Sequence, residues 1–142
     1  MHRLTLTEAN ALIEAALAKG AELGLKPITV TIHDPGGHLI ACQRQDGASN
    51  MRVKLAAGKA NGALALGVSS RTIGEMALDR PHFIAAVDTM SEGGMVPAAG
   101  GVIVCDGEGT ILGAIGVTGD TSDNDEACAL AAIAKLGLEP KS

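Results

Sequence analysis

Aromatic side chains are almost missing: the 142 residues hold one Phe and no Tyr or Trp. The usual stacking platforms for bases, sugars and planar cofactors are therefore scarce. Basic clusters are missing as well. Lys and Arg number 11 against 16 Asp and Glu, the net charge is −5, and no run of Lys or Arg exceeds two residues. Phosphate binding needs a basic surface, so no nucleic-acid partner is expected. No apolar stretch reaches the ~18 uncharged residues that a membrane span requires, so no membrane partner is expected either. His2 and Arg3, followed by Thr5 and Glu8, do not make an apolar signal-peptide core, and the cytoplasm is the expected location. Cys42, Cys105 and Cys128 lie far apart without C-x-x-C spacing. They read as reduced, mostly buried small hydrophobes.

What is present is enough for a packed core. Hydrophobic residues make up 46% of the chain and charged ones 19%, which suits one ordinary domain over residues 1–142 and leaves disorder unexpected. Alanine and 19 glycines take the place of large side chains, implying thin layers and closely approaching backbones. So few large side chains also predict an obligate oligomer, at least a dimer, because pairing faces adds burial.

The pattern alternates helices with hairpins. Thr5-x-x-Glu8 is a capping box, and Ala9, Leu12, Ile13, Ala16 and Leu17 follow at helical spacing, with Gly24 at the C-terminal cap. Ile28–His33 alternates as a half-buried strand, Asp34-Pro35-Gly36-Gly37 reads as a type II turn, and His38–Gln43 returns. A second helix runs from about Arg52 to Leu66, and its small apolar face (Ala56, Ala57, Ala60, Ala63) predicts close packing. Ser69–Ala86 reads as short helices broken at Pro81. A second hairpin covers Val102–Cys105 and Thr110–Val117, and an Ala-rich helix ends near Leu136. Hairpin-linked strands predict an antiparallel sheet with helices on its faces, an α/β sandwich rather than a doubly wound parallel fold.

Few residues point to chemistry. The glycine pairs match neither G-x-G-x-x-G nor a P-loop and read as turns and close approaches. The acidic run Asp120, Asp123, Asp125, Glu126 lacks the pattern of a calcium loop and reads as helix capping beside Thr121 and Ser122. No metal site is assigned. A type II turn would set His33 and His38 facing each other on one side of the hairpin, a pair able to hold a metal or heme iron. Arg44, Asp46 and Lys59 form the other cluster, with Arg52 and Lys59 seven residues apart on one helix flank. A cation at the edge of a buried face can meet a small anion such as a carboxylate. No nucleophile–base array can be read from spacing.

Taken together, Val30-Thr-Ile-His-Asp-Pro-Gly-Gly-His-Leu39, Arg44-Gln-Asp-Gly-Ala48, Lys59-Ala60, Val96-Pro-Ala-Ala-Gly-Gly-Val102 and Gly113 through Glu126 resemble the GlcG/HbpS family, to which the C-terminal domain of PduO proteins also belongs. The resemblance covers nearly the whole chain. It implies a three-layer α/β sandwich, a five-stranded antiparallel sheet with helices on both faces, assembled as dimers or larger oligomers. Some members bind heme, and others are encoded beside glycolate or diol catabolism. The family's polar pocket falls on Arg44, Asp46 and Lys59; heme ligation does not carry over cleanly, since members differ in their iron ligands. Asp34-Pro35 stands where many members have Asp-Ala and stiffens the turn. The expected function is binding of a small anionic ligand or a tetrapyrrole such as heme, through Arg44, Asp46, Lys59, His33 and His38. The alternative is a cofactor-independent enzyme acting on a small carboxylate, with Lys59 and Arg44 holding it and His33, His38 or Asp46 moving protons.

Overall fold

The structure is a computed structural model and describes residues 2–141. Helix α1 spans Leu6–Leu23. Its start is the capping box that Thr5 and Glu8 predict: the Thr5 hydroxyl accepts the Glu8 N–H at 3.1 Å, and the Glu8 carboxylate accepts the Thr5 N–H at 3.0 Å. Strands β1 (Thr29–His33) and β2 (Leu39–Arg44) follow, then α2 (Arg52–Leu66), α3 (Ser70–Asp79) and α4 (Pro81–Met90). Pro81 separates α3 from α4 by standing at the first position of the latter, where its missing N–H costs nothing. Strands β3 (Gly101–Cys105) and β4 (Ile111–Thr118), helix α5 (Ser122–Lys135) and strand β5 (Glu139–Lys141) complete the chain.

The five strands form one antiparallel sheet in the order β2-β1-β4-β3-β5. Periodicity gave four of them. The fifth, β5, is three residues long, too short for alternation to register, and only the family pattern implied it.

The hairpin turns correct one expectation. In the first, the Gly37 N–H donates to the Asp34 carbonyl at 2.9 Å, and the positive φ of +85° sits at Gly37 rather than Gly36. The turn is therefore a type I turn followed by a left-handed residue, not type II. The second hairpin repeats it, with Gly109 at φ +83° and the Gly109 N–H on the Asp106 carbonyl at 3.1 Å. In each, the leading aspartate accepts two backbone N–H groups through one oxygen: Gly36 and His38 on Asp34, Glu108 and Thr110 on Asp106.

Strand alternation sorts the sheet's two faces. Val30, Ile32, Val102, Val104, Ile115 and Val117 turn toward α1 and α5 and join Leu12, Ile13 and Ile133 in the main core. Thr29, Thr31, His33 and Thr118 turn the other way, toward α2, and are buried. There α2 lies almost on the backbone of the sheet. A Cβ at Gly116 would stand 2.0 Å from the Ala56 carbonyl oxygen, and one at Gly101 would stand 2.2 Å from that of Lys59. The outer side of α2 is also close to its cover, since a Cβ at Gly58 would meet the Val96 side chain at 2.7 Å. Small side chains thus set the layer spacing, as composition predicts. Among the described residues no helix is long and apolar enough to cross a membrane.

Candidate functional site

The five candidate residues fall into four places. Lys59 is 4% exposed and lies under α2. Its ammonium donates to the Asp125 carboxylate at 3.1 Å and to the Val117 carbonyl at 3.0 Å. Burial pushes its pKa below the ordinary lysine value and the Arg52 guanidinium adds to that, while Asp125 pulls it back. Asp125 is as deeply buried and also accepts the Asp120 N–H at 2.9 Å. The pair ties α2 to the start of α5 across the end of β4. Lys59 therefore does not emerge at a seam with a charge free for an anion, which corrects that expectation: its charge is answered within the fold.

Arg44 and Asp46 lie elsewhere. They line a shallow surface cavity of about 460 Å³ with Leu25, Pro27 and Gln45. The Arg44 guanidinium donates to the Asn50 side chain at 2.7 Å. Arg52, on the Lys59 flank of α2, donates to the Thr118 hydroxyl at 3.0 Å. The expected convergence of Arg44, Asp46 and Lys59 on one ligand does not occur within one chain, because Lys59 points inward to Asp125 from beneath the helix.

The two histidines also part company. The pairing register sets His33 opposite Leu39, with a shift between Ile32 and His33, so His38 lies beyond the ladder and the two rings do not face each other. His33 is 2% exposed. Its Nε2 lies 3.0 Å from the Thr31 hydroxyl and its Nδ1 lies 3.3 Å from the Gly37 carbonyl. Burial lowers its pKa, against smaller upward pulls from the Gly37 carbonyl and the Asp34 charge. The neutral ring donates from Nδ1 and accepts at Nε2, and both nitrogens are used.

His38 is built for the opposite purpose. Its side chain is 81% exposed, and its Nδ1 lies 3.2 Å from Asp34 Oδ1. Burial alone would raise the Asp34 pKa, but the N–H groups of His38 and Gly36 and the His38 ring outweigh it and hold the carboxyl below its ordinary range. A carboxylate that accepts a hydrogen bond from Nδ1–H fixes the tautomer and leaves the Nε2 lone pair outward. Asp34 was not among the expected site residues. An aspartate followed by Pro-Gly-Gly is, however, a readable turn signal, and that turn aims the ring.

Beside His38 opens a cavity of about 270 Å³ between the hairpin turn, α2 and the segment after α4. Gly36, Gly37, Asn61, Leu64, Ser91 and Glu92 contribute to its wall. The Asn61 Oδ1 is buried there without a hydrogen-bond partner, a polar atom that sequence patterning does not reveal. Among the described residues no three His, Cys, Asp or Glu side chains gather as a metal-binding group.

The acidic run behaves as a helix start. The Thr121 hydroxyl caps α5 by accepting the Asn124 N–H at 3.2 Å. Asp123 and Glu126 pair with Arg71 of α3. The Asp120 carboxyl, hydrogen-bonded by the Asn124 side chain and the N–H groups of Thr121 and Lys26, is lowered to about 2.

With this geometry in hand, comparison with known proteins is informative. Comparison with curated proteins finds no match. The PduOC structure solved as a heme complex superposes with a TM-score of 0.86 at 23% identity, covering 99% of both chains. Protein ORFY of Klebsiella pneumoniae gives 0.86 at 23% identity, covering 96% of this chain and 92% of its own. A double mutant of HbpS from Streptomyces reticuli gives 0.82 at 26% identity, covering 96% and 89%. The family model described as "Haem degrading protein HbpS-like" matches residues 4–134, and the chain therefore belongs to the HbpS-like family.

Proposed function

We propose that this chain is a small-ligand-binding accessory protein of the HbpS-like family, that its ligand is heme or a related tetrapyrrole, and that His38 Nε2 is the iron ligand. One observation carries the reading: an exposed imidazole whose Nδ1 is held by the Asp34 carboxylate, at the mouth of a cavity. A porphyrin brings its own four equatorial nitrogens, so one correctly oriented side chain is the donor set this group requires, and the carboxylate holds that ring in place. The family description and the heme complex of a structural neighbour support the same choice.

The surroundings make the site an open one. Phe83, the sole aromatic residue, stands in α4 under the Arg80 guanidinium at 4.4 Å and is not part of the cavity wall. A cavity of about 270 Å³ sits at the lower end of the range for small-ligand sites, roughly 300–1,000 Å³. It holds an edge of a large planar ligand rather than enclosing it, so binding is weak and water-accessible. The protein works as an oligomer of at least two copies.

The test is hemin titration followed at the Soret band. Wild type shifts the band and saturates, whereas His38→Ala abolishes the shift or moves the affinity by at least about tenfold. Identical spectra for the two proteins remove His38 from the iron and overturn the assignment.

A further inference from the structure

The sheet's two edges are built differently. Strand β5 is three residues long, Glu139–Lys141, with Pro140 at its centre and a charge on either side. Proline offers no N–H and the charges resist a further strand, so that edge is closed. Strand β2 is six residues, Leu39–Arg44, with no proline and a single charge at its end. Its inner side pairs with β1, and among the described residues no backbone hydrogen bond reaches its outer side. Leu39 is 58% exposed. The register shift lies at the hairpin end and leaves Ala41 to Arg44 regular. An unguarded edge opposite a guarded one is the form that strand addition uses.

The occupant that fits is a second copy of the same strand. The hairpin end of β2 carries the Asp34 carboxylate and His38, and the far end carries Arg44. Antiparallel pairing about a two-fold axis brings opposite ends together, so Arg44 of each copy comes to the hairpin end of the other, beside Asp34, which Arg3 already bridges at 3.5 Å, and the exposed His38. Parallel pairing would instead stack Arg44 on Arg44. Within one chain the strand holds Arg44 about 20 Å from His38, six residues at ~3.4 Å each, too far to share a small ligand. Across the two-fold they become neighbours.

We propose that β2 pairs antiparallel with β2 of a second copy, extending the sheet through both subunits, and that the partner's Arg44 completes the His38 site by meeting an anionic group of the ligand. The shared site rests on the reading of His38 as the ligand residue; the edge pairing stands independently of it.

Cys42 lies near the middle of β2 and is half-buried, whereas Cys105 and Cys128 are buried. A short bismaleimide therefore joins two copies through Cys42, and Cys42→Ser abolishes the cross-link. The Gln45 N–H donates inward to the Ile28 carbonyl, so by alternation the Cys42 N–H points outward. Cys42→Pro removes that donor without touching the β1 ladder. Sedimentation should then show a folded monomer, as should Leu39→Lys, which puts a charge on the exposed edge. Wild type that sediments as a monomer, or fails to cross-link through Cys42, overturns the edge pairing.

The shared site is tested by mixing chains. His38→Ala and Arg44→Gln each weaken hemin binding, Arg44→Gln by about tenfold. A heterodimer of the two variants contains one site with both native residues and should regain half of the high-affinity Soret signal. Cross-linking without that recovery overturns the shared site. Wild type that cross-links through Cys42 but never binds hemin overturns the ligand reading, and with it the shared site, while the edge pairing holds.

Discussion

The two faces of the sheet are held by different physics. Against α1 and α5 the sheet presents Val30, Ile32, Val102, Val104, Ile115 and Val117, an apolar surface whose core holds no charged side chain. Against α2 it presents Thr29, Thr31, His33, Thr118 and bare glycine backbone, with Ile103 and Cys105 packed on Ala63 and with Lys59 and Asp125 buried nearby. The first face gains its stability from area removed from water, and small losses of volume cost it little. The second depends on polar groups finding their partners and on backbones that touch, so single changes cost it more. A protein so poor in large side chains uses both: one face for burial, the other for closeness.

The largest effect should come from separating the buried ion pair. Lys59→Met leaves Asp125 buried without its cation, and should lower unfolding free energy by about 3–5 kcal/mol in denaturant titration. Replacing both members, Lys59→Met with Asp125→Leu, should recover much of that loss, because no unpaired charge remains. If Lys59→Met costs less than about 1 kcal/mol, the pair is not what fastens α2 to α5.

Next comes the backbone contact. Gly116→Ala drives a Cβ to 2.0 Å from the Ala56 carbonyl oxygen, forcing α2 off the sheet at a cost of about 3 kcal/mol. On the apolar face, Ile32→Val removes one methylene and should cost only about 1 kcal/mol. Equal losses from the two substitutions would erase the contrast between the faces.

The smallest effect is set by pH. Burial holds the folded His33 pKa below its ordinary 6.5, so on acidification the unfolded chain takes up that proton first. The stabilising contribution is complete above pH 6.5 and is lost as pH falls through the folded value. A melting temperature followed downward from pH 7 should decline modestly, and His33→Gln should flatten that part of the curve. A decline that His33→Gln leaves unchanged assigns it to another group.

The sequence made local structure legible where a residue's partner lay within a turn or so. The capping box of α1, the break at Pro81 and the small face of α2 were all readable, because propensity and periodicity act over a few positions. The first turn was misread because Gly36 and Gly37 both tolerate positive φ, and only the fold chooses between them. Lys59 was correctly placed beside Arg52 on a helix flank, but its partner is 66 residues away, beyond any pattern in one sequence. The same distance hid the separation of Arg44 from Lys59. His33 and His38 were legible as hairpin residues, and the opposite fates of their rings follow from a single register shift.

Those two histidines test the account most directly. Measure melting temperature and hemin affinity for His33→Gln and His38→Gln against wild type. His33→Gln should lower the melting temperature while keeping hemin affinity within about twofold, since its ring serves packing. His38→Gln should leave the melting temperature unchanged and abolish the Soret shift, since its ring serves the ligand. If His33→Gln abolishes the Soret shift while His38→Gln binds hemin as wild type does, the division of labour between the buried face and the open hairpin is contradicted.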